Sequence, residues 1–203
     1  MGMKKNTGYS LIELMTMLAV VAIVMSFGVP MLKTYFQGNR MVTNTNDLIA
    51  SISLARSEAI RRGIRTSICK SSNADSAAPV CDTTANWQDG WIVFVEDATG
   101  AARGAFGDYE TGNGDLLVRV HPAAKGSNVT IKPQDNSIKD YVSFTSRGLP
   151  KLDDGGGQSG VFSICDERGL TNSAGNVIAR GVELNVAGRV RSTADAAKIV
   201  SCP

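Results

Sequence analysis

Hydrophobic and polar positions divide the chain into three regimes. Residues 14–32 carry no charge, and only Thr16 and Ser26 among them have polar side chains. Those nineteen positions, at the rise of an α-helix, cover roughly 28 Å, close to the thickness of a bilayer's hydrocarbon core. Soluble core helices seldom run so long without a charge, so the run predicts a membrane-crossing helix. Beyond Lys33 the pattern becomes one-sided. Met41, Thr45, Leu48, Ile52, Ala55 and Ala59 recur in steps of four and three, which is one face of a helix continuing to Arg62. Glu58 is spaced to pair with Arg61 or Arg62, and Gly63 suits a C-terminal cap. Unbroken over residues 9–62, such a helix extends roughly 80 Å, half as membrane anchor and half as the spine of a head. Pro30, with Gly28, removes a backbone donor and is expected to weaken the helix at the outer membrane face.

After Gly63 the pattern changes. Short runs rich in Val, Ile and aromatic residues, separated by turn residues, predict strands at 64–69, 91–96, 116–120, 129–132, 141–145, 161–165, 177–185 and 186–191. Antiparallel pairing is the connection such short, turn-rich segments allow. Residues 71–87 and 97–115 read as loops, and Trp87, Trp91 and Phe94 as core aromatics. The expected fold class is α+β: a long N-terminal helix packed on an antiparallel β-sheet head.

Composition adds the compartment. The 203 residues suffice for one domain and an appendage, and 43% hydrophobic with 20% charged residues describes a folded chain. The net charge of +2 does not by itself argue for nucleic acid as a partner and gives only a weak electrostatic footprint. Lys4 and Lys5 precede the apolar run and Lys33 follows it, so the positive-inside rule keeps the short N-terminus cytoplasmic and sends everything after Leu32 across the membrane. The four cysteines, Cys69, Cys81, Cys165 and Cys202, show no close pair of the kind a zinc site uses, and an even number in a translocated head reads as two disulfides. Of the three possible pairings, Cys69–Cys81 closes one short loop between adjacent strands, and Cys165–Cys202 ties the tail to the end of a strand.

The most specific signal is Lys4-Lys5-Asn6-Thr7-Gly8-Tyr9-Ser10-Leu11-Ile12-Glu13-Leu14. Its small residue, Gly8, stands before the apolar stretch, so cleavage there leaves the anchor on the protein, unlike an ordinary signal peptide. A carboxylate at Glu13, near the start of a membrane helix, is costly without a partner. The segment resembles the leader and N-terminus of type IV pilins and type II secretion pseudopilins. That resemblance implies cleavage by a prepilin peptidase between Gly8 and Tyr9 and N-methylation of Tyr9, where the family usually has phenylalanine. It also implies a charge match between the new amine of Tyr9 in one subunit and Glu13 of its neighbour. The implied organisation is a leader at 1–8, a transmembrane helix at 9–32, its periplasmic continuation at 33–62 and a β-rich head at 63–203.

Further motifs narrow the resemblance: Ala55-Arg56-Ser57-Glu58-Ala59-Ile60-Arg61-Arg62-Gly63, the cysteines Cys69 and Cys81, and Trp87-Gln88-Asp89-Gly90-Trp91-Ile92-Val93-Phe94. With Phe144-Thr145-Ser146-Arg147-Gly148 and Gly188-Arg189-Val190-Arg191, they are similar to the minor-pilin branch called GspH/FimT, FimU-like proteins included. The resemblance implies a minor pilin or pseudopilin in the priming or tip complex of a type IV pilus or type II secretion filament. Its implied partners are other major and minor pilins or pseudopilins, the peptidase and the inner membrane. It also implies an alternative, since Gly-Arg-x-Arg runs in FimT-like proteins are implicated in DNA contact; Arg189 and Arg191, two apart, would share one strand face and straddle phosphates. No catalytic constellation accompanies these motifs, and no cofactor or metal is assigned. His121 has no acidic neighbour in sequence, Gly155-Gly156-Gly157 lacks a following Lys-Ser/Thr, and Asp108, Asn113 and Asp115 lack the spacing of an EF-hand loop.

Overall fold

A computed structural model of the chain describes residues 8–96, 107–110, 112, 114–124, 128–172, 174–199 and 202. The leader lysines Lys4 and Lys5, most of loop 97–115 and Asn113 lie outside the described residues. Helix α1 runs Leu11–Arg62. Its backbone continues through Pro30, where the Thr34 hydroxyl donates to the Pro30 carbonyl at 3.2 Å. The expected weakening therefore does not end the helix. The described residues fall into two units, one up to Asn39 and one from Arg40.

In the first unit none of the described residues is buried. Thr16 and Ser26 turn their hydroxyls back to the carbonyls of Glu13 (2.9 Å) and Ile23 (2.7 Å), so these polar groups are satisfied within the helix itself.

In the second unit the helix buries one face: Met41, Asn44, Thr45, Leu48, Ser51, Ile52, Ala55 and Ala59. Six of these are the positions expected from the apolar spacing; Asn44 and Ser51 join them. Small residues at 51, 55 and 59 let the helix backbone lie close to the sheets. Gly63, at φ 69°, ends the helix, and its N–H bonds the Ala59 carbonyl at 3.0 Å.

Among the described residues eight strands follow: β1 Thr66–Lys70, β2 Trp91–Val95, β3 Leu116–His121, β4 Thr130–Pro133, β5 Tyr141–Phe144, β6 Gly160–Cys165, β7 Arg180–Leu184 and β8 Val190–Thr193. They form two four-stranded antiparallel sheets, ordered β3-β2-β1-β5 and β4-β6-β7-β8. Pro133, which cannot donate to a ladder, sits on an edge strand. The last two strands begin later than the sequence pattern predicts, because Val177 pairs back to Thr171 and residues 185–189 close as a turn.

Period two decides what each strand buries. Ile68, Trp91, Val93, Val142 and Phe144 of one sheet, and Ile131, Phe162, Ile164, Val182 and Leu184 of the other, meet the helix face in one core. The alternate positions of the first sheet, Cys69, Ile92 and Phe94, form a smaller cluster on its other side with Ala74 and Cys81. Cys165 does the same for the second sheet, with Ala179, Ile199 and Cys202. Each disulfide belongs to one of these outer clusters. Cys69 is joined to Cys81 (Cα–Cα 5.7 Å) and Cys165 to Cys202 (5.6 Å). Small outer clusters carry little hydrophobic energy, and closing a loop there stabilises the sheet by about 2–4 kcal/mol.

Candidate functional site

The N-terminal site is built on the first turn of α1. Residues 8–10 precede the helix, and Tyr9 is exposed. The Leu14 N–H bonds the Ser10 carbonyl at 3.1 Å, which makes Ser10 the N-cap. The Ser10 N–H in turn faces the Glu13 carboxylate at 3.5 Å, a long contact with the geometry of half a capping box. This local role was readable in Ser10-x-x-Glu13 and is separate from any intersubunit one. Glu13 makes no ion pair among the described residues.

The arginine site is less symmetrical than the motif suggests. Arg189 is not in a strand; it closes a turn in which the Asn185 side chain accepts from the N–H groups of Ala187 (3.1 Å) and Arg189 (2.8 Å). Arg191 lies in edge strand β8 and bonds Glu183 of β7 at 3.0 Å, and Lys198 reaches the same carboxylate at 3.0 Å. Lys198 and Arg191 hold the Glu183 carboxyl below the usual carboxylate range. Glu183, Asn185, Arg189 and Arg191 line a shallow cleft of about 140 Å³. Both arginines are exposed, and of the two only Arg191 is ion-paired among the described residues.

Arg56 of α1 explains why three of the sequence motifs occur together. Its guanidinium donates to the Gly148 carbonyl (3.1 Å) and the Ala187 carbonyl (3.0 Å), pinning turns 145–149 and 185–189 side by side. Gly188 lies where they touch, at φ 76°, and a Cβ there would stand 2.4 Å from the Gly148 carbonyl oxygen. The glycine of Gly-Arg-x-Arg is thus required for packing. Sequence reading missed Arg56 in this role, because its two partners lie 92 and 131 residues away.

His121 gains a partner no local pattern reveals. Its ring stacks on Trp91 (4.0 Å between centroids, 5° apart), with Nε2 3.2 Å from Asp47 of α1 and Nδ1 2.8 Å from the Pro122 carbonyl. With acceptors at both nitrogens, the ring ties β3 to the helix as a structural residue. Burial, then the neighbouring Glu110, raises the Asp108 carboxyl, and Asp115 accepts from the Glu110 N–H at 2.9 Å. Among the described residues no group of His, Cys, Asp and Glu is placed to hold a metal.

Glu96, at the end of β2, was not singled out by the sequence either. It is 4% exposed; one carboxylate oxygen accepts from Ser67 and from the Gly107 N–H (2.9 Å), and the other is buried without a hydrogen bond. Burial pushes its pKa up to about 7.

A family model described as type II transport protein GspH matches residues 44–188, from the buried face of α1 to the glycine between the two turns. No curated protein matches the chain. The crystal structure of the type IV minor pilin FimU of Pseudomonas aeruginosa is similar over 77% of this chain and 90% of that one, at 19% identity and a TM-score of 0.51. A second crystal form of FimU gives 74%, 90%, 19% and 0.47. At that identity the likeness is one of fold: a long helix packed on antiparallel sheets.

Proposed function

The chain belongs to the GspH family of minor pilins and pseudopilins, and from that premise we propose that it is a filament subunit of the priming or tip complex. It would be held in the inner membrane by the first half of α1, with its head in the periplasm. The carrying observation is the contrast within α1. Residues 11–36 present more than a dozen large apolar side chains to the surroundings, whereas the face from Met41 is wholly covered. The uncovered half is long and apolar enough to cross a membrane. Lipid covers it before assembly, and a bundle of like helices covers it afterwards.

Within such a bundle Glu13 is the one carboxylate of the apolar half. The mature N-terminal amine of Tyr9, freed by a prepilin peptidase after Gly8 and methylated, is its proposed partner on the neighbouring subunit. A charge pair in a medium of low dielectric is much stronger than in water and sets the axial register. Mass spectrometry of the chain from its native membrane should give Tyr9 as the methylated first residue. Glu13→Gln is the sharper variant than Glu13→Ala, because glutamine still serves an N-terminal capping box while the charge is gone. It should insert in the membrane yet be depleted from sheared filaments. Wild-type incorporation of Glu13→Gln would sink the charge match.

A DNA receptor on the same scaffold is the second reading, favoured by the exposed, unpaired Arg189. Against it stands the Glu183 carboxylate, which occupies Arg191 and repels phosphate from the same cleft.

A further inference from the structure

The two turns pinned by Arg56 carry an exposed surface that the motifs do not explain. Among the described residues from 40 onward, six large hydrophobic ones are exposed: Val42, Ile60, Val80, Leu116, Leu149 and Val186. Three of them lie on or beside the two turns. Leu149 belongs to turn 145–149 and Val186 to turn 185–189, and Ile60 of α1 packs so closely on Gly148 that a Cβ there would lie 2.7 Å from its Cδ1. Val186 is 66% exposed, the most of the six. Each turn also offers one exposed arginine, Arg147 and Arg189, and neither is ion-paired among the described residues.

A turn has no need of an aliphatic tip for its own stability; polar residues serve better. Aliphatic side chains beside unpaired arginines are the composition of an interface core, where arginine forks take carboxylates in pairs. The geometry points to a docking surface made of Ile60, Leu149, Val186, Arg147 and Arg189, and its occupant is an acidic, apolar segment of a different subunit of the same filament. The inference rests on the reading of the chain as a filament subunit. Charge complementarity selects the acidic partner, since two unpaired cations repel a basic one. The aliphatic side chains favour protein over nucleic acid, because phosphates give Val186 and Leu149 nothing to bury against. The clamp of Arg56 holds the backbones of both turns together, so the ordering cost of docking falls on the side chains and not on the turns.

The test uses the full chain in cells that make its filament, with a photo-crosslinking benzoylphenylalanine at Val186 and, as control, at exposed Val80 outside the patch. Crosslinks are read in the membrane fraction by peptide sequencing, and incorporation into sheared filaments is scored separately. The expected product joins position 186 to a peptide of another filament subunit that contains Asp or Glu beside an aliphatic residue. Arg147→Glu with Arg189→Glu should lower its yield by about tenfold. Reversing the partner's carboxylates to arginine should restore it, which also shows that the variant is folded. A product with a second copy of this chain, with DNA or with a protein outside the filament overturns the inference, as does a yield no higher than at Val80. Filament incorporation without the crosslink refutes the surface alone; absence of the wild-type chain from filaments refutes the underlying function.

Discussion

The two halves of α1 share one secondary structure and differ in everything that surrounds it. In the first unit the helix carries its apolar residues all round and buries none; in the second it concentrates them on one face and buries that face completely. A helix apolar on every side has no use for a two-sheet core, which can cover only one stripe. The head shows the opposite excess. It covers not only most of its hydrophobic residues but also Glu96, Lys70 and Asp166, each under a tenth exposed. One half is specified by its own packing, whereas the other is completed by whatever solvates it.

The largest effect should come from cutting into the packed half. Ile52 is fully buried in the main core, so Ile52→Ala should lower head stability by about 2–5 kcal/mol. Val20→Ala removes a comparable amount of hydrocarbon from a 60% exposed site and should leave the head's unfolding midpoint unchanged. Both tryptophans, Trp87 and Trp91, are buried in the head, so their fluorescence in a urea titration of the detergent-solubilised chain reports that transition. A shift with Val20→Ala would break the comparison, because it would make the first half part of the head's cooperative unit.

A smaller effect concerns the covered polar groups. The carboxyl of Glu96 has its pKa pushed from 4.5 up to about 7 by burial. Below pH 4.5 both folded and unfolded chains hold the proton, and Glu96 contributes nothing to the pH dependence. Between pH 4.5 and 7 the unfolded chain releases it while the folded head keeps it, so stability falls as pH rises and levels off above 7. The difference corresponds to a loss of at most about 3 kcal/mol. Glu96→Gln should flatten the unfolding midpoint between pH 5 and 8. Asp82, held down at about 2 by the hydroxyls of Ser72 and Thr84, acts only in the acid range and does not interfere. A wild-type head whose stability rises from pH 5 to 8 would show that Glu96 is ionised when folded.

What the sequence revealed and what it hid follow from the range of the interactions. The end of α1, its buried face and six of the strands rest on periodicity and turn residues, which are local, and they were legible to within a residue or two. The disulfide pairing was legible because Cys69 and Cys81 bracket one short loop between adjacent strands, which leaves Cys202 of the tail for the strand end at Cys165. The start of β8 was not, since Val186 continues the β pattern while the Asn185 side chain and Gly188 close a turn. The partners of Arg56 and His121 and the burial of Glu96 depend on which turns the fold brings together. No spacing along the chain carries that information.

The smallest effect separates the two readings of Gly188-Arg189-Val190-Arg191. Arg191→Ala removes an exposed pair with Glu183 that Lys198 partly replaces, so it should cost no more than about 1 kcal/mol. Arg189→Ala removes no contact of its side chain and should change stability by less than about 0.5 kcal/mol. Gly188→Ala is different in kind, because its Cβ would meet the Gly148 carbonyl and spread the two turns apart. With stability thus matched, the double arginine variant tests DNA contact cleanly. A receptor would bind duplex DNA with steep salt dependence, and losing both arginines would reduce the slope by about two, one per phosphate contact. The pairing of Arg191 with Glu183 lowers that expectation to about one, since a cation already neutralised releases no counterion. The structural reading expects neither: gel-shift titrations at two salt concentrations should be the same for the wild type and the double variant. Micromolar, salt-sensitive binding that disappears with Arg189 and Arg191 would overturn it, and would place the working surface of the head on phosphate instead of on a neighbouring subunit.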